Sequence, residues 1–271
     1  MEYYMLQEKI KVLWNKELAP FYYKIGLKCN IKYSYAKPGQ FIMLRFAEQI
    51  NPLLRRPFSI HKLISKDESL EGIEVLYKVV GKGTKKLSMC VEGDIIDIIG
   101  PLGNSFITSN NYNHVFIVAG GVGVAPMLFL TSYLQKNTDL LKCTVFLGSR
   151  SKHDLLCKND FLRLGMKVLI ATEDGSAGRK GLVTDILETS IRESHPDMIY
   201  GCGPTAMLKS LARISDMYSI PCRVSIETIM ACGIGACLGC AVESKKTPEK
   251  YLHVCLDGPV FDTKAIKFIN F

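Results

Sequence analysis

Four cysteines crowd near the C-terminus as Cys232-Gly-Ile-Gly-Ala-Cys237-Leu-Gly-Cys240, followed by Cys255. The spacing C-x4-C-x2-C-x14-C sets three thiolates on one tight loop and a fourth on a returning segment. Four thiolates complete the coordination of two sulfide-bridged irons, and the C-x4-C-x2-C start is the plant-type [2Fe–2S] spacing. Gly233, Gly235 and Gly239 suit a loop whose backbone N–H groups must approach sulfur. The competing reading is a structural zinc site, but zinc usually takes two short Cys pairs or Cys/His mixtures, and only one short pair is present. The other six cysteines (29, 90, 143, 157, 202 and 222) lie far apart, as buried small hydrophobes do.

Two further sets of residues suit nucleotide phosphates. Arg56-Pro57-Phe58-Ser59 offers a guanidinium for bidentate phosphate pairing and a hydroxyl for a ring nitrogen or carbonyl. On its own it reads more readily as a solvated basic turn. Leu76-Tyr77-Lys78 and then Gly83-Thr84, at the start of a short helix, add N–H groups and a second hydroxyl, consistent with a dinucleotide pyrophosphate site. Further on, Val115–Ala119 runs into Gly120-Gly121-Val122-Gly123-Val124-Ala125-Pro126, a strand, glycine turn and helix start. It is not G-x-G-x-x-G, so it is no ordinary Rossmann fingerprint. A matching turn, Cys202-Gly203-Pro204, follows a second strand and opens a second helix. Glycines that merely serve tight turns are the alternative, which the pairing of the two turns weakens.

These residues must be positioned by three kinds of chain. Short strand-like runs, Tyr22–Lys28, Gln40–Phe46, Ser59–Ile64, Ile73–Val80 and Asp94–Gly100, indicate a small β-barrel or sandwich. From about Asn113 to Met217 the pattern alternates. Strands at Val115–Ala119, Cys143–Leu147, Lys167–Thr172 and Met198–Tyr200 are interspersed with helices at Ala125–Gln135, Lys158–Leu164, Leu182–Ile191 and Thr205–Met217. That alternation predicts a doubly wound α/β domain with a parallel sheet. The last 55 residues hold the cysteine crowd and little periodicity. The fold class is therefore multidomain β plus α/β, with boundaries expected at 1–108, 109–220 and 221–271.

Composition excludes several classes. With 271 residues, 48% hydrophobic and 22% charged, the chain is ordinary globular protein. The net charge of +8 is spread along the chain without a basic block, so nucleic acid is not an expected partner. The longest apolar run, Val115–Leu130, holds three glycines and a proline and falls short of the ~20 residues of a spanning helix. Met1–Leu13 alternates apolar and charged residues and lacks a signal peptide's apolar core, so a cytoplasmic location is expected.

On these motifs the chain resembles the ferredoxin–NADP reductase superfamily and, within it, the electron-transfer subunits of NAD-dependent (class 1B) dihydroorotate dehydrogenases. The resemblance runs over essentially the whole chain. It includes Gly100-Pro101-Leu102-Gly103-Asn104 and the ending Val254–Phe261. It implies FAD in the barrel, with Arg56 on the pyrophosphate and Ser59 facing the flavin. Pro57, Phe58, Leu76, Tyr77, Lys78, Gly83 and Thr84 complete that site. It implies NAD at Gly120, Gly121, Gly123, Val124, Ala125, Pro126, Ser149, Arg150, Cys202, Gly203 and Pro204, and a [2Fe–2S] cluster on Cys232, Cys237, Cys240 and Cys255. Cys202 near the nicotinamide and Ser59 near the flavin are the candidate catalytic residues. Where the family commonly has Glu-Glu-Arg-Met-Gly-Cys, this chain has Glu227-Thr228-Ile229-Met230-Ala231-Cys232.

A flavin converts two-electron hydride exchange into one-electron exchange with a cluster. The five histidines lie apart with no nucleophile beside them, so substrate oxidation is expected on a partner. The resemblance implies an FMN-containing dihydroorotate dehydrogenase catalytic subunit, assembled as a heterotetramer of two of each, acting in pyrimidine biosynthesis. The alternatives are a ferredoxin–NAD(P) reductase or sulfide-dehydrogenase-like subunit, and a non-enzymatic redox sensor. The turn Ser149-Arg150-Ser151-Lys152, free of acid until Asp154, leans by local charge toward a 2′-phosphate, while the family leans toward NAD.

Overall fold

The computed structural model describes residues 5–46, 51, 53–67, 69–138 and 142–268. The first unit is built from β1 (Leu6–Ala19), β2 (Tyr22–Lys28), β3 (Phe41–Phe46), β4 (Arg56–Ser59), β5 (Lys62–Lys66), β6 (Ser69–Lys78), the short helix α1 (Lys82–Leu87) and β7 (Ile95–Leu102). All its strand pairs are antiparallel, in the order β4-β3-β7-β1-β2-β6-β5. β1 is the strand that lets this barrel-like sheet bend. Leu6–Lys11 pair with β7, Val12–Ala19 pair with β2, and the register shifts where the second pairing begins. The alternation of Ile10 and Val12 inward with Lys9 and Lys11 outward is a half-buried strand pattern. It lies in the N-terminal stretch, where no strand is expected from the sequence and whose first four residues fall outside the described set. The single run expected at Ser59–Ile64 is in fact the end of β4, a corner at Ile60-His61, and the start of β5.

The second unit comprises β8 (His114–Gly120), α2 (Val124–Asn137), β9 (Lys142–Ser149), α3 (Lys158–Arg163), β10 (Lys167–Thr172), β11 (Arg179–Lys180), α4 (Val183–Glu193), β12 (Met198–Cys202), α5 (Thr205–Met217) and β13 (Cys222–Ser225). Its sheet runs β11-β10-β9-β8-β12-β13-β16, parallel except for β16 (Val260–Asp262), and so carries on past residue 220. Between β13 and β16 lie the cysteine loop and a hairpin of β14 (Ala241–Glu243) and β15 (Tyr251–His253). The weak periodicity of the last 55 residues conceals these four strands because three of them are only three residues long and the fourth only four.

α2 is apolar around most of its circumference because it is covered on both sides. Met127 and Leu130 enter the core under β8, whereas Phe129 enters the barrel core with Ile60 and Leu87. Phe41, Met43 and Leu102 of the barrel join the core shared with β13, Met230, Cys240 and Cys255. The three parts therefore pack through common cores.

Asp97 on β7 is a deeply buried charge of the barrel, 2% exposed. Arg55 and Arg45 each place a nitrogen 2.8 Å from its Oδ2. Burial pushes this carboxyl up, but the two guanidinium hydrogen bonds outweigh it and hold it below the usual carboxylate range. Asp97 thus stabilises the fold in full above its unfolded pKa of about 3.9, and the contribution disappears as pH falls through the depressed folded value. Asp97→Ala leaves Arg55 buried and uncompensated and is expected to cost about 3–5 kcal/mol in denaturant unfolding at pH 7. For Asp97→Asn, the deficit relative to wild type should shrink below about pH 4; a deficit that stays constant from pH 7 to 3 contradicts the account.

Candidate functional site

Two cavities open along the seam between the units. The smaller, about 310 Å³, is walled by Phe41, Arg56, Pro57, Phe58 and Ser59 from the barrel and by Ser225 to Thr228 and Met230 from the segment after β13. Leu76, Tyr77, Lys78, Val80 and Thr84 close its rim, and Ala125 of α2 reaches it from the side. The larger, about 670 Å³, lies over the carboxyl ends of β8, β9 and β12. Lys78, Val122 and Glu227 line both cavities, so the two meet there.

The Arg-Arg pair is divided between two tasks. Arg55 is spent on Asp97, whereas Arg56 lines the small cavity, with its side chain lying over Gly83 and donating to the Leu54 carbonyl. Gly83 is therefore a platform beneath Arg56 rather than part of the cavity wall. Thr84 borders the small cavity with its hydroxyl engaged. Its hydroxyl accepts from the Val80 and Gly81 amides (2.9 and 3.1 Å) and donates to the Gly81 carbonyl, so it holds its own turn. Tyr77 packs edge-on to Phe58 at 6.0 Å and donates to Asn15.

The large cavity sits at a topological switch point. From β8 the sheet grows through β9 to one side and through β12 to the other, which opens a crevice at the strand ends. Gly120, Gly121 and Gly123 line it from one turn, Gly203 and Pro204 from the other. The turns touch: a Cβ on Gly123 would lie 2.5 Å from the Cys202 carbonyl oxygen, so only glycine fits there. Val124 and Pro126 are buried and hold the start of α2 rather than lining the cavity. Cys202 is buried as well, 2% exposed, and burial together with the nearby Glu227 pushes its thiol up. Neither cavity is lined by it.

At the far end lie Ser149 and Arg150, with two acids that sequence reading did not weigh as a pair, Asp154 and Glu173. Arg150 lies 3.4 Å from Asp154, and the Tyr22 hydroxyl donates to the same carboxylate at 2.9 Å. Ser149 donates to the Ser151 carbonyl. The only local signal for Asp154 was its position four residues after Arg150; nothing in the sequence reveals that Glu173 comes alongside.

The cysteine loop gathers its thiols in two pairs. The β14–β15 hairpin pairs Ala241 with His253, which brings Cys240, just before β14, beside Cys255, just after β15. Their sulfurs are 3.3 Å apart. The 14-residue spacer is thus the hairpin itself. Amides of Ile234 and Cys237 both donate to Cys232 Sγ (3.4 Å), Gly235 donates to Cys255 Sγ (3.2 Å), and Cys255 donates to Cys240 Sγ (3.5 Å). Burial pushes the Cys232 thiol up, but these amides win and bring it down to about 7. Gly235 makes its donation with φ +80 and Leu256 packed against its Cα. Among the described residues, no three His, Cys, Asp or Glu side chains converge on one ion-sized point. Four amides directed at thiolates are a donor set that fits a sulfide-bridged iron pair.

The loop is continuous with the flavin-sized cavity. Met230 lines that cavity two residues before Cys232, and Met43, on the barrel strand beside β4, lies under Gly233. Asn104 donates its amide to the Leu256 and Asp257 carbonyls (3.2 and 2.9 Å), tying the end of the barrel to the second thiol pair.

Comparison with known proteins agrees with this geometry. Residues 227–267 match the iron-sulfur cluster binding domain of dihydroorotate dehydrogenase B, and residues 117–213 match the oxidoreductase NAD-binding domain. The chain is 42% identical over 261 residues to the dihydroorotate dehydrogenase B (NAD(+)) electron transfer subunit of Caldanaerobacter subterraneus, covering 96% of this chain and 98% of that one. It is 37% identical to the Bacillus pumilus subunit of the same name, covering 97% and 98%. Among solved structures, a chain of an NADH-dependent reduced ferredoxin–NADP oxidoreductase superposes with a TM-score of 0.83 at 30% identity, covering 96% of this chain and 90% of that one. A ferredoxin–NADP+ reductase from Neisseria gonorrhoeae shares the fold at 16% identity, with a TM-score of 0.65 and coverage of 78% and 91%. Aligned along nearly its whole length with relatives of this identity, the chain belongs to the family of electron transfer subunits of NAD(+)-linked dihydroorotate dehydrogenase B.

Proposed function

We propose that this chain carries electrons between an FMN-containing dihydroorotate-oxidising partner and NAD+, as one of the two kinds of subunit in a cytoplasmic heterotetramer with two copies of each. The observation that carries the reading is the continuity of the site. The small cavity shares Lys78, Val122 and Glu227 with the nucleotide cavity, and its wall runs through Met230 into the cysteine loop. FAD bound in the small cavity supplies the exchange between single electrons and hydride.

The chain's own residues hold and orient. Arg56 pairs with the pyrophosphate, Pro57 to Ser59 and Leu76 to Lys78 bound the flavin, and Lys78 adds positive charge where the two nucleotides meet. Amides of the Gly121–Gly123 turn at the start of α2, a 14-residue helix, face the phosphates of NAD. Cys232, Cys237, Cys240 and Cys255 would hold the [2Fe–2S] cluster, which would pass electrons singly. The exposed rim of Ile229, Ile234, Leu238 and Leu256 around the cysteine loop is the face against which the partner packs. Asp154 and Glu173 support NAD over its 2′-phosphorylated form. Asp154 already pairs with Arg150, and a second carboxylate disfavours a 2′-phosphate but suits a ribose diol.

Four measurements test this reading. Arg56→Ala should lower FAD affinity by about 10- to 150-fold, the worth of a charge-assisted hydrogen bond. Arg55→Ala should unfold earlier yet keep FAD in the folded fraction, and equal FAD loss in both variants contradicts the assignment. Cys255→Ser should abolish or alter the visible and paramagnetic signatures of the cluster, whereas Cys222→Ser, in β13, should keep them; stoichiometric zinc without iron in anaerobic protein defeats the ligand set. NADH should exceed NADPH in kcat/KM, and Glu173→Gln should raise the NADPH value about tenfold by removing a like charge. An NADPH preference that vanishes in Arg150→Ala reverses the assignment. Finally, the superposition on a ferredoxin–NADP oxidoreductase chain makes reduced ferredoxin the rival donor. The reconstituted complex should reduce NAD+ with dihydroorotate, and turnover with reduced ferredoxin alone overturns the choice of partner.

A further inference from the structure

His61 lies two residues beyond Ser59, at the corner between β4 and β5, and is fully buried. Its backbone amide donates to the Glu74 carbonyl of β6 at 2.9 Å, so the barrel fixes where the ring starts. The ring leaves the barrel. Nδ1 is 2.9 Å from the Ala125 carbonyl oxygen in the first turn of α2, and Nε2 is 3.9 Å from Cys157 Sγ at the cap of α3. An ionic frame surrounds it. Glu74 Oε1 is 3.4 Å from Nε2, and Lys24 bridges that carboxylate (3.3 Å) and Asp160 of α3 (3.5 Å).

The protonation state follows. Burial, with Lys24 nearby, pushes His61 down to about 4, so the ring is neutral at pH 7 and carries one N–H. A carbonyl only accepts, so that proton is on Nδ1. Burial, with the Asp160 carboxylate in hydrogen-bond reach, pushes Cys157 up to about 12, so it keeps its S–H, 3.9 Å from Nε2. The Nδ1–H donation to the Ala125 carbonyl is therefore the bond that ties the barrel corner to α2.

Both ends of this tether border the joined cavities. Ser59 and Ala125 line the smaller one, and Gly121 to Gly123, immediately before α2, line the larger. We propose that His61 is a positioning residue, whose bond to Ala125 sets the distance between the flavin-side strand and the nucleotide-side helix. This rests on the assignment of FAD and NAD to the two cavities. Hydride moves only between centres about 3–3.5 Å apart, and a misplacement of about 1 Å costs about 10²-fold in rate.

The test compares three variants. His61→Asn keeps an amide donor near the Nδ1 position, His61→Gln moves it outward, and His61→Leu removes it. In chain loaded with FAD and cluster, rapid mixing with NADH reads flavin bleaching, calorimetry reads the NAD+ Kd, and hydrogen exchange reads the amides of 119–130 without nucleotide. His61→Leu and His61→Gln should bleach about 30- to 100-fold more slowly, with the Kd within about threefold and faster exchange in α2, and His61→Asn should recover to within about fivefold of wild type. If His61→Leu does not fold, the Asn and Gln pair decides. Equal rates and equal exchange in Asn and Gln overturn the proposal, as does a loss confined to the Kd. Failure of the cofactor assignment shows separately, as wild-type chain that retains no FAD or is not bleached by NADH.

Discussion

β13 is held on both edges, parallel to β12 and antiparallel to β16, and the arrangement of the whole site depends on that pairing. The hydrogen bonds place Ser225 opposite both Cys202 and Val260. The chain leaving β13 must therefore pass over the barrel at Phe41 and Met43, where Ile226 to Thr228 and Met230 form one wall of the small cavity. The chain returning in β16 comes from Cys255 by way of Gly258-Pro259, beside Gly103 and Asn104 of the barrel. One strand pair thus presses a cysteine loop, a flavin-sized cavity and a nucleotide crevice together, with apolar side chains of all three parts in common cores.

Charge is distributed so that fold and function do not compete for the same groups. Arg55 and Arg45 neutralise Asp97 inside the barrel and leave Arg56 to the cavity. Tyr22 and Arg150 share Asp154, which couples the barrel to the loop at the far end of the nucleotide crevice. Lys24, Glu74 and Asp160 form a further bridge between the units around His61. A buried charge left without its partner costs several kcal/mol, so Asp97 and its two arginines stabilise the barrel itself, whereas Lys24, Glu74 and Asp160 also constrain the relative placement of the units.

Much of this was legible in the sequence because it is local. The spacing of Cys232, Cys237 and Cys240 encodes one loop, and the helix over Thr205–Met217 and the strands Tyr22–Lys28 and Lys167–Thr172 coincide with their patterns residue for residue. What was missed is long-range or very short. β1 shows the alternation of a strand but follows no turn signal, and its partner β7 is some 90 residues away. β13 to β16 are too brief for periodicity to register. The hydroxyl of Thr84 and the thiol of Cys202 matched motifs by type, yet their orientation depends on neighbours that spacing does not report. The acids Asp154 and Glu173 line one cavity because β9 and β10 lie side by side, which the local charge around Arg150 does not report.

The central claim is that electrons pass between the nucleotide crevice and the cysteine loop within this one chain. Anaerobic titration of the isolated, FAD- and iron-loaded chain with NADH, followed by visible absorption and paramagnetic resonance, tests it without any partner. The account predicts that flavin bleaching is accompanied by growth of the reduced-cluster signal. Complete flavin bleaching with a cluster that remains oxidised, but is reduced at once by added dithionite, would contradict it.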